Sequence, residues 1–319
     1  MKFARTLACV TLCLTTACGI AQEFPKAPVH IIVPFPPGGP TDLMARLVSQ
    51  KLQEIWGQSV IDEYRPGAGT IIGVQAVAKS APDGYTLGIV PGAYTVNPAL
   101  RKSMPYDTLR DLTGVTQLVA THLAIVANPN APFNNVAELV AYAKRNPGKL
   151  SFGSPGTGGT SHLAGELLNR TAGIDMVHVP YKGSVQAQTD VIAGRLPLMV
   201  DAASSALPFV TAGRLKMIAT TGPRRLPGHE QYPSVAETYP GYEVTGLLGI
   251  VAPKGTPRPI LQKIAADAAR GLRAPDARKQ IEDTGGEVVG STPEQFDSVI
   301  RSEMAKWAKV IREANIHEE

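Results

Sequence analysis

Two stretches of this 319-residue chain combine glycine, hydroxyl side chains and a following helix signal. PPGGPTD holds Pro36, Gly38, Gly39, Thr41 and Asp42, and SPGTGGTSH holds Ser154, Gly156, Thr157, Gly158, Thr160, Ser161 and His162. A helix N-terminus leaves its first N–H groups unpaired and carries partial positive charge, so it binds anions. Glycine lets the backbone approach a ligand closely. The second stretch nearly matches the nucleotide loop G-x-x-x-x-G-K-[ST], with Gly153, Gly158 and Thr160 in place, but Gly159 stands in the lysine slot. Without that lysine, and with no clear magnesium-binding acidic strand nearby, a triphosphate is poorly matched. A carboxylate needs only two or three N–H donors and hydroxyls, which Thr157, Thr160 and Ser161 supply. The plainer alternative is a tight strand-to-helix turn with Ser161 as an ordinary N-cap. The recurrence of the pattern favours a site.

Other residues leave alternatives open. RPGAG is a third glycine turn, but Ile72 stands where a dinucleotide fingerprint needs its last glycine. His162 either contacts ligand or packs against the helix start. Tyr181 and Lys182, in VPYKGS at a strand end, face either a cleft or solvent. Asp201 ends the strand LPLMV, where ligand sites of α/β sheets lie. It either takes a cationic or hydroxyl group of a ligand or caps the next turn. Catalysis lacks support: G-x-S-x-G, H-E-x-x-H and C-x-x-C are all missing, and the six histidines show no metal-ligand spacing. The expectation is a binding protein, not an enzyme, with no metal and no cofactor.

The elements that must position these residues follow from periodicity. VHIIVPF is a short apolar strand, and TDLMARLVSQKLQEIWG is a helix with Thr41 or Asp42 as cap and Gly57 as stop. QSVIDEYRPGAGTIIGVQAVAKSAPDGYTLGIV repeats the strand, turn, helix, strand unit. Then come the strand THLAIVANPN, the helix NNVAELVAYAKRNPGKL capped by Asn134 or Asn135, and the strand KLSFGS. A helix from Ser161, the strand MVHVPY, a helix over 185–193 and the strand LPLMVD follow. GRLKMIATTG and YEVTGLLGIVAP are further strands, and the C-terminus is helical. Alternating strands and helices imply α/β architecture with parallel pairing. PPGGPTDLMARLV and GTGGTSHLAGELL align without gaps, which suggests two similar lobes.

Composition sets the class. The chain is 44% hydrophobic and 18% charged, ordinary for a globular protein, and its length suggests about two domains. Net charge is +4 with the basic residues scattered, which argues against nucleic-acid binding. The N-terminus, with Lys2, Arg5, an apolar run over 7–14 and small Gly19 and Ala21, has the pattern of a signal peptide. Lipid attachment at Cys18 is a weaker alternative, because Thr15 stands where that motif wants Leu. All 3 cysteines lie in this leader, so no disulfide or thiol chemistry is expected of the mature chain. The expected place is the periplasm.

The chain resembles the Bug (Bordetella uptake gene) family, the periplasmic solute-binding components of tripartite tricarboxylate transporters. PVHIIVPFPPGGPTDLMARLV, RPGAGTIIGVQAVAKSAPDGYTL, NPALRKSMPYDTLRDL, SFGSPGTGGTSHLAGELL, MVHVPYKGSVQAQTDVIAGRLPLMVD and VAPKGTP carry the resemblance. It implies a type II periplasmic-binding-protein fold, two α/β lobes joined by crossing strands with a ligand cleft between them. After a leader over 1–21, lobe 1 is expected at 22–122 and 248–319, and lobe 2 at 123–247. The resemblance implies ligand contacts from Phe35, Pro36, Gly38, Gly39, Thr41, Asp42, Ala68 and Gly69 in the first lobe. The second gives Ser154, Gly156, Thr157, Gly158, Thr160, Ser161, His162, Tyr181, Gly183 and Asp201. It departs from the family at Gln186, Gln188 and Pro197, and at Tyr94, a candidate cleft residue that would reshape the pocket. The function implied is a monomeric receptor that hands a small organic carboxylate to membrane permease subunits. The ligand is a dicarboxylate, tricarboxylate or aromatic acid. A sensor presenting its ligand to a signalling protein, and a periplasmic enzyme acting on small acids, are the alternatives.

Overall fold

The computed structural model describes residues 24–38, 40–181 and 183–316. The leader expected at 1–21 lies outside the described residues, as do Gly39 and Lys182. The chain runs β1 (Val29–Val33), α1 (Pro40–Trp56), β2 (Val60–Tyr64), α2 (Ile71–Ala78), β3 (Thr86–Pro91), α3 (Ala93–Leu100) and β4 (Leu112–Ala127). It continues through α4 (Val136–Arg145), β5 (Ser151–Ser154), α5 (Thr160–Ala172), β6 (Val177–Pro180), α6 (Ser184–Ile192), β7 (Leu198–Ala202), α7 (Ala203–Thr211) and β8 (Lys216–Thr220). It ends with α8 (Val235–Thr238), β9 (Thr245–Pro253), α9 (Arg258–Leu272), α10 (Pro275–Asp283), β10 (Gly286–Val288) and α11 (Pro293–Glu313).

The strands form a mixed sheet in the order β2-β1-β3-β9-β4-β7-β5-β6, with β8 and β10 also paired to β4. The parallel pairing expected from alternation holds for β1 with β2 and β3, and for β5 with β6 and β7. It fails at the centre, where β9 is antiparallel to both β3 and β4. The 16-residue β4 serves both halves. Its register with β9 runs from Leu112 opposite Pro253 to His122 opposite Thr245. From Leu123, opposite Ala202, it pairs β7 instead.

The sequence reading captured only the second half of β4. Its first half, LTGVTQLVA, lacks alternation because the strand is buried on both faces. Its polar members are satisfied from far along the chain: Thr116 Oγ1 donates to Ser291 O at 2.8 Å, and Gln117 N donates to Ser291 Oγ at 2.8 Å.

The helices carry local signatures. Asn135 caps α4, its side chain accepting from Glu138 N, and Val136, Leu139, Val140 and Ala143 face inward. α11 opens with a capping box of Thr292 and Gln295. This helix packs in two places. Phe296 and Ile300 enter a core with Val90, Tyr94 and Leu112, whereas Trp307, Val310 and Ile311 enter the core built on Phe152, Leu163 and Ile125. α3 is shared likewise: Tyr94 lies in the first of these cores and Val96 in the second.

Candidate functional site

The turn between β1 and α1 is held by Asp42. Its carboxylate accepts from Gly38 N at 2.7 Å, Tyr64 Oη at 2.6 Å and Arg46 Nε at 2.9 Å. The Tyr64 hydroxyl first, then the Gly38 amide, hold it below the usual carboxylate range. Asp42 is 1% exposed, so it braces the turn from beneath. Pro36 and Gly38 are exposed above it, and Phe35 and Thr41 are half-buried. Pro40 opens α1, where its missing N–H costs nothing, so Thr41 and Asp42 sit inside the first turn instead of capping it.

The second turn, between β2 and α2, has three successive residues in left-handed backbone: Ala68 (φ 47), Gly69 (φ 59) and Thr70 (φ 85). Two of the three carry a Cβ, which such backbone disfavours. Asn97 of α3 pins the turn, its Nδ2 donating to Gly69 O at 2.9 Å. Ala68 and Gly69 are exposed.

The third turn joins β5 to α5. Ser154 Oγ donates to Gly156 O at 3.0 Å and lies 2.7 Å from His178 Nε2. The His178 ring stacks on His162, centroids 3.6 Å apart and planes 14° apart. His162 Nδ1 accepts from Gly158 N at 3.0 Å, so this nitrogen carries no proton. Burial first, then His162, pushes His178 down to about 3. A stacked imidazole pair, with His178 uncharged, thus props the glycine loop. His162 is 4% exposed and packs on Phe152 and His178. No side chain caps α5, whose N-cap is Gly159. Thr157 and Gly159 are exposed and Thr160 is half-buried. This leaves a solvent-facing helix N-terminus of the kind that takes an anion.

α3 brings the turns together. A Cβ built on Gly158 (φ +74) would lie 2.5 Å from Leu100 Cδ2, and one on Gly92 would lie 3.1 Å from Thr160 Oγ1. One side of α3 therefore contacts the α5 turn, while Asn97 reaches the α2 turn. Gly183 (φ 134) precedes α6, which also starts without a side-chain cap.

Three expected residues sit differently from a cleft lining. Tyr94 is 1% exposed, and its hydroxyl donates to Thr108 O at 3.1 Å. The apolar side of α3 has drawn it into the core. Tyr181 turns its hydroxyl onto Asp190 Oδ2 at 2.8 Å. Asp201 is 1% exposed and accepts from Ser184 Oγ, Gln188 Nε2 and Ala202 N at 2.7, 2.8 and 2.8 Å. Burial raises its pKa against those donors. Gln188, one of the departures from the family pattern, is thus a structural partner of Asp201. Asp201 ties α6 to β7.

Asn97 and Arg101 were missed by sequence reasoning, since neither lies in a glycine loop. A Cβ on Gly69 would fall 2.8 Å from an Arg101 terminal nitrogen, so the guanidinium rests against the exposed second turn. A separate cavity of about 450 Å³ runs along the crossing strands beside His122, Arg224 and Glu287. None of its lining residues belongs to the glycine turns, and the turns carry the anion-binding geometry.

Two α/β sheet regions sharing one long strand, with the glycine turns before α2 and α5 set against α3, define a periplasmic-type solute-binding protein. The chain belongs to the family described as tripartite tricarboxylate transporter family receptor, whose model matches residues 44–316. It is similar to BugT of Bordetella pertussis, 33% identical over 321 residues, covering 98% of each chain. Among solved structures it is similar to R. palustris Rpa4515 with adipate, at 32% identity and a TM-score of 0.77, covering 92% of this chain and 99% of that one. MatC from Rhodopseudomonas palustris with bound malate is 30% identical with a TM-score of 0.73, covering 90% of this chain and all 100% of MatC.

Proposed function

We propose that this receptor works in the periplasm as a monomer, closing on a small organic carboxylate and delivering it to membrane permease subunits without chemistry of its own. The observation that carries this reading is the uncapped start of α5, exposed at Thr157 and Gly159 and set against α3 beside the exposed Ala68–Gly69 turn. Backbone amides and helix dipoles suit a singly charged carboxylate. Two structural neighbours with small carboxylates, adipate and malate, support the class. Closure then follows from differential affinity, because a ligand touching turns from both sheet regions stabilises the closed state.

The test is thermal unfolding of residues 22–319 against carboxylates and their neutral amides. A ligand at about 100 times its dissociation constant stabilises by about 2.7 kcal/mol. Stabilisation by an acid and none by its amide is expected. No shift with any acid, together with no small acid released on denaturation as read by mass spectrometry, would refute the reading.

A further inference from the structure

The cavity of about 450 Å³ beside the crossing strands lies among the last residues of β4 that pair with β9, the strand β10 and the middle of α11. His122 is part of its lining. The His122 side chain is 2% exposed, yet neither of its ring nitrogens has a hydrogen-bond partner. A buried polar group left unpaired costs stability, so one that lines a cavity marks a place for a partner from outside the chain.

The ring is held where such a partner can reach it. Gly222 backs onto it, since a Cβ there would lie 2.8 Å from Nδ1. The other nitrogen, Nε2, lies 3.7 Å from Glu287 Oε2, too far for a hydrogen bond between them. Burial lowers the pKa of His122 more than the Glu287 carboxylate raises it, and Arg224 adds to the lowering. The ring is therefore uncharged at neutral pH. With its proton on Nδ1 it presents Nε2 as an acceptor next to a second acceptor, Glu287 Oε2. Two acceptors so placed suit one donor group lying between them.

The surrounding charge favours a cationic donor. Glu243, Glu287 and Glu303 line the cavity against only Arg224 and Lys306. Arg224 is engaged with Glu287, and Lys306 with Glu303 at 2.5 Å. Lys306 reaches Glu243 only at its backbone oxygen, at 3.2 Å, so among the described residues the Glu243 carboxylate has no cationic partner. The described residues hold no cluster of three or more His, Cys, Asp or Glu that could ligate a metal ion, which leaves an organic cation. Leu247, Val289 and Val299 give a short carbon chain an apolar wall.

We infer that this cavity is a second ligand site, apart from the glycine turns, for a small primary ammonium ion whose N–H groups bridge His122 Nε2 and Glu287 Oε2.

Titration calorimetry on residues 22–319 near neutral pH tests this with butylammonium, against 1-butanol and tetramethylammonium. The alcohol lacks the charge, and tetramethylammonium lacks N–H donors. Butylammonium is expected to bind one per chain and at least about tenfold more tightly than either control. His122→Leu removes one acceptor and Glu287→Gln removes the negative charge. Each is expected to weaken butylammonium about ten- to a hundredfold. A single cooperative transition in urea shows that a variant folds, and Glu287→Gln carries the test alone if His122→Leu does not fold. No binding of butylammonium by the wild-type chain, or equal binding of either control, overturns the inference. So does an affinity unchanged in the folded variants, which would put the amine elsewhere on the chain. None of these outcomes bears on the carboxylate reading of the turns.

Discussion

Replacing His178 by Gln removes the one imidazole beneath the α5 turn that is held strongly neutral. In the folded chain its pKa is pushed from 6.5 down to about 3 by burial and by the stacked His162 ring. In the unfolded chain it titrates near its ordinary value. Between those two values the unfolded state binds the extra proton, so stability falls as pH falls. Integrated from about pH 8 down to about pH 5, the loss through this residue is about 2 kcal/mol. It grows by about 1.4 kcal/mol per further pH unit until the folded-state value is approached. His122, whose pKa burial also lowers, and carboxylates held low such as Asp42 contribute slopes of the same sign, whereas Asp201, held high, contributes the opposite one. The informative quantity is therefore wild type minus variant. Urea unfolding at several pH values in this window measures it, at constant ionic strength. The two curves should converge by about 2 kcal/mol on acidification. Parallel curves would mean that His178 titrates in the folded chain as it does in the unfolded one, and the uncharged His178 ring beneath the α5 turn would be refuted.

Other substitutions test other parts of the site. Gly158→Ala places a Cβ on left-handed backbone and 2.5 Å from Leu100 Cδ2. Its expected cost is about 1–3 kcal/mol in urea unfolding, with weaker carboxylate binding by calorimetry. Tyr94→Phe removes a buried hydroxyl bonded to Thr108 O. It should cost about 1 kcal/mol of stability and leave ligand affinity unchanged, whereas a change in affinity would return Tyr94 to the cleft. Gln188→Leu strips one donor from buried Asp201 and raises a carboxyl pKa that burial already lifts. The expected loss is about 1–3 kcal/mol at neutral pH. It shrinks on acidification, because a raised folded-state pKa makes the folded state the better proton binder as pH falls. Unfolding curves at neutral and acid pH read this directly.

The parts of the site written in short stretches were legible. Gly158 adopts positive φ and Asn135 caps its helix, each for reasons confined to a few neighbours. What the sequence concealed depends on distant partners. The first half of β4 looked too polar for a central strand because its satisfier, Ser291, belongs to the C-terminal segment. α3 was not recognised because Pro98 interrupts its pattern, and its capture by both cores is a tertiary effect. Hence the contact of Arg101 with Gly69 and the burial of Tyr94 were invisible. His162 was ambiguous for a related reason. Its partners are a backbone amide one turn earlier and a ring on a neighbouring strand, and only the second is remote.

The two-ended anchorage of α11 has a mechanical consequence. A single helix of 21 residues is clamped near its start by Phe296 and Ile300 and near its end by Trp307, Val310 and Ile311. The helix resists bending far more than β4 resists a local twist at residues 122–123, where the strand changes partners. It therefore acts as a stiff rod bolted across a soft joint. Large separation of the two regions would have to pull one set of bolts from its core, exposing Trp307 or Phe296 to water. Relative movement of the two cores is therefore resisted by side chains seated at both ends of α11.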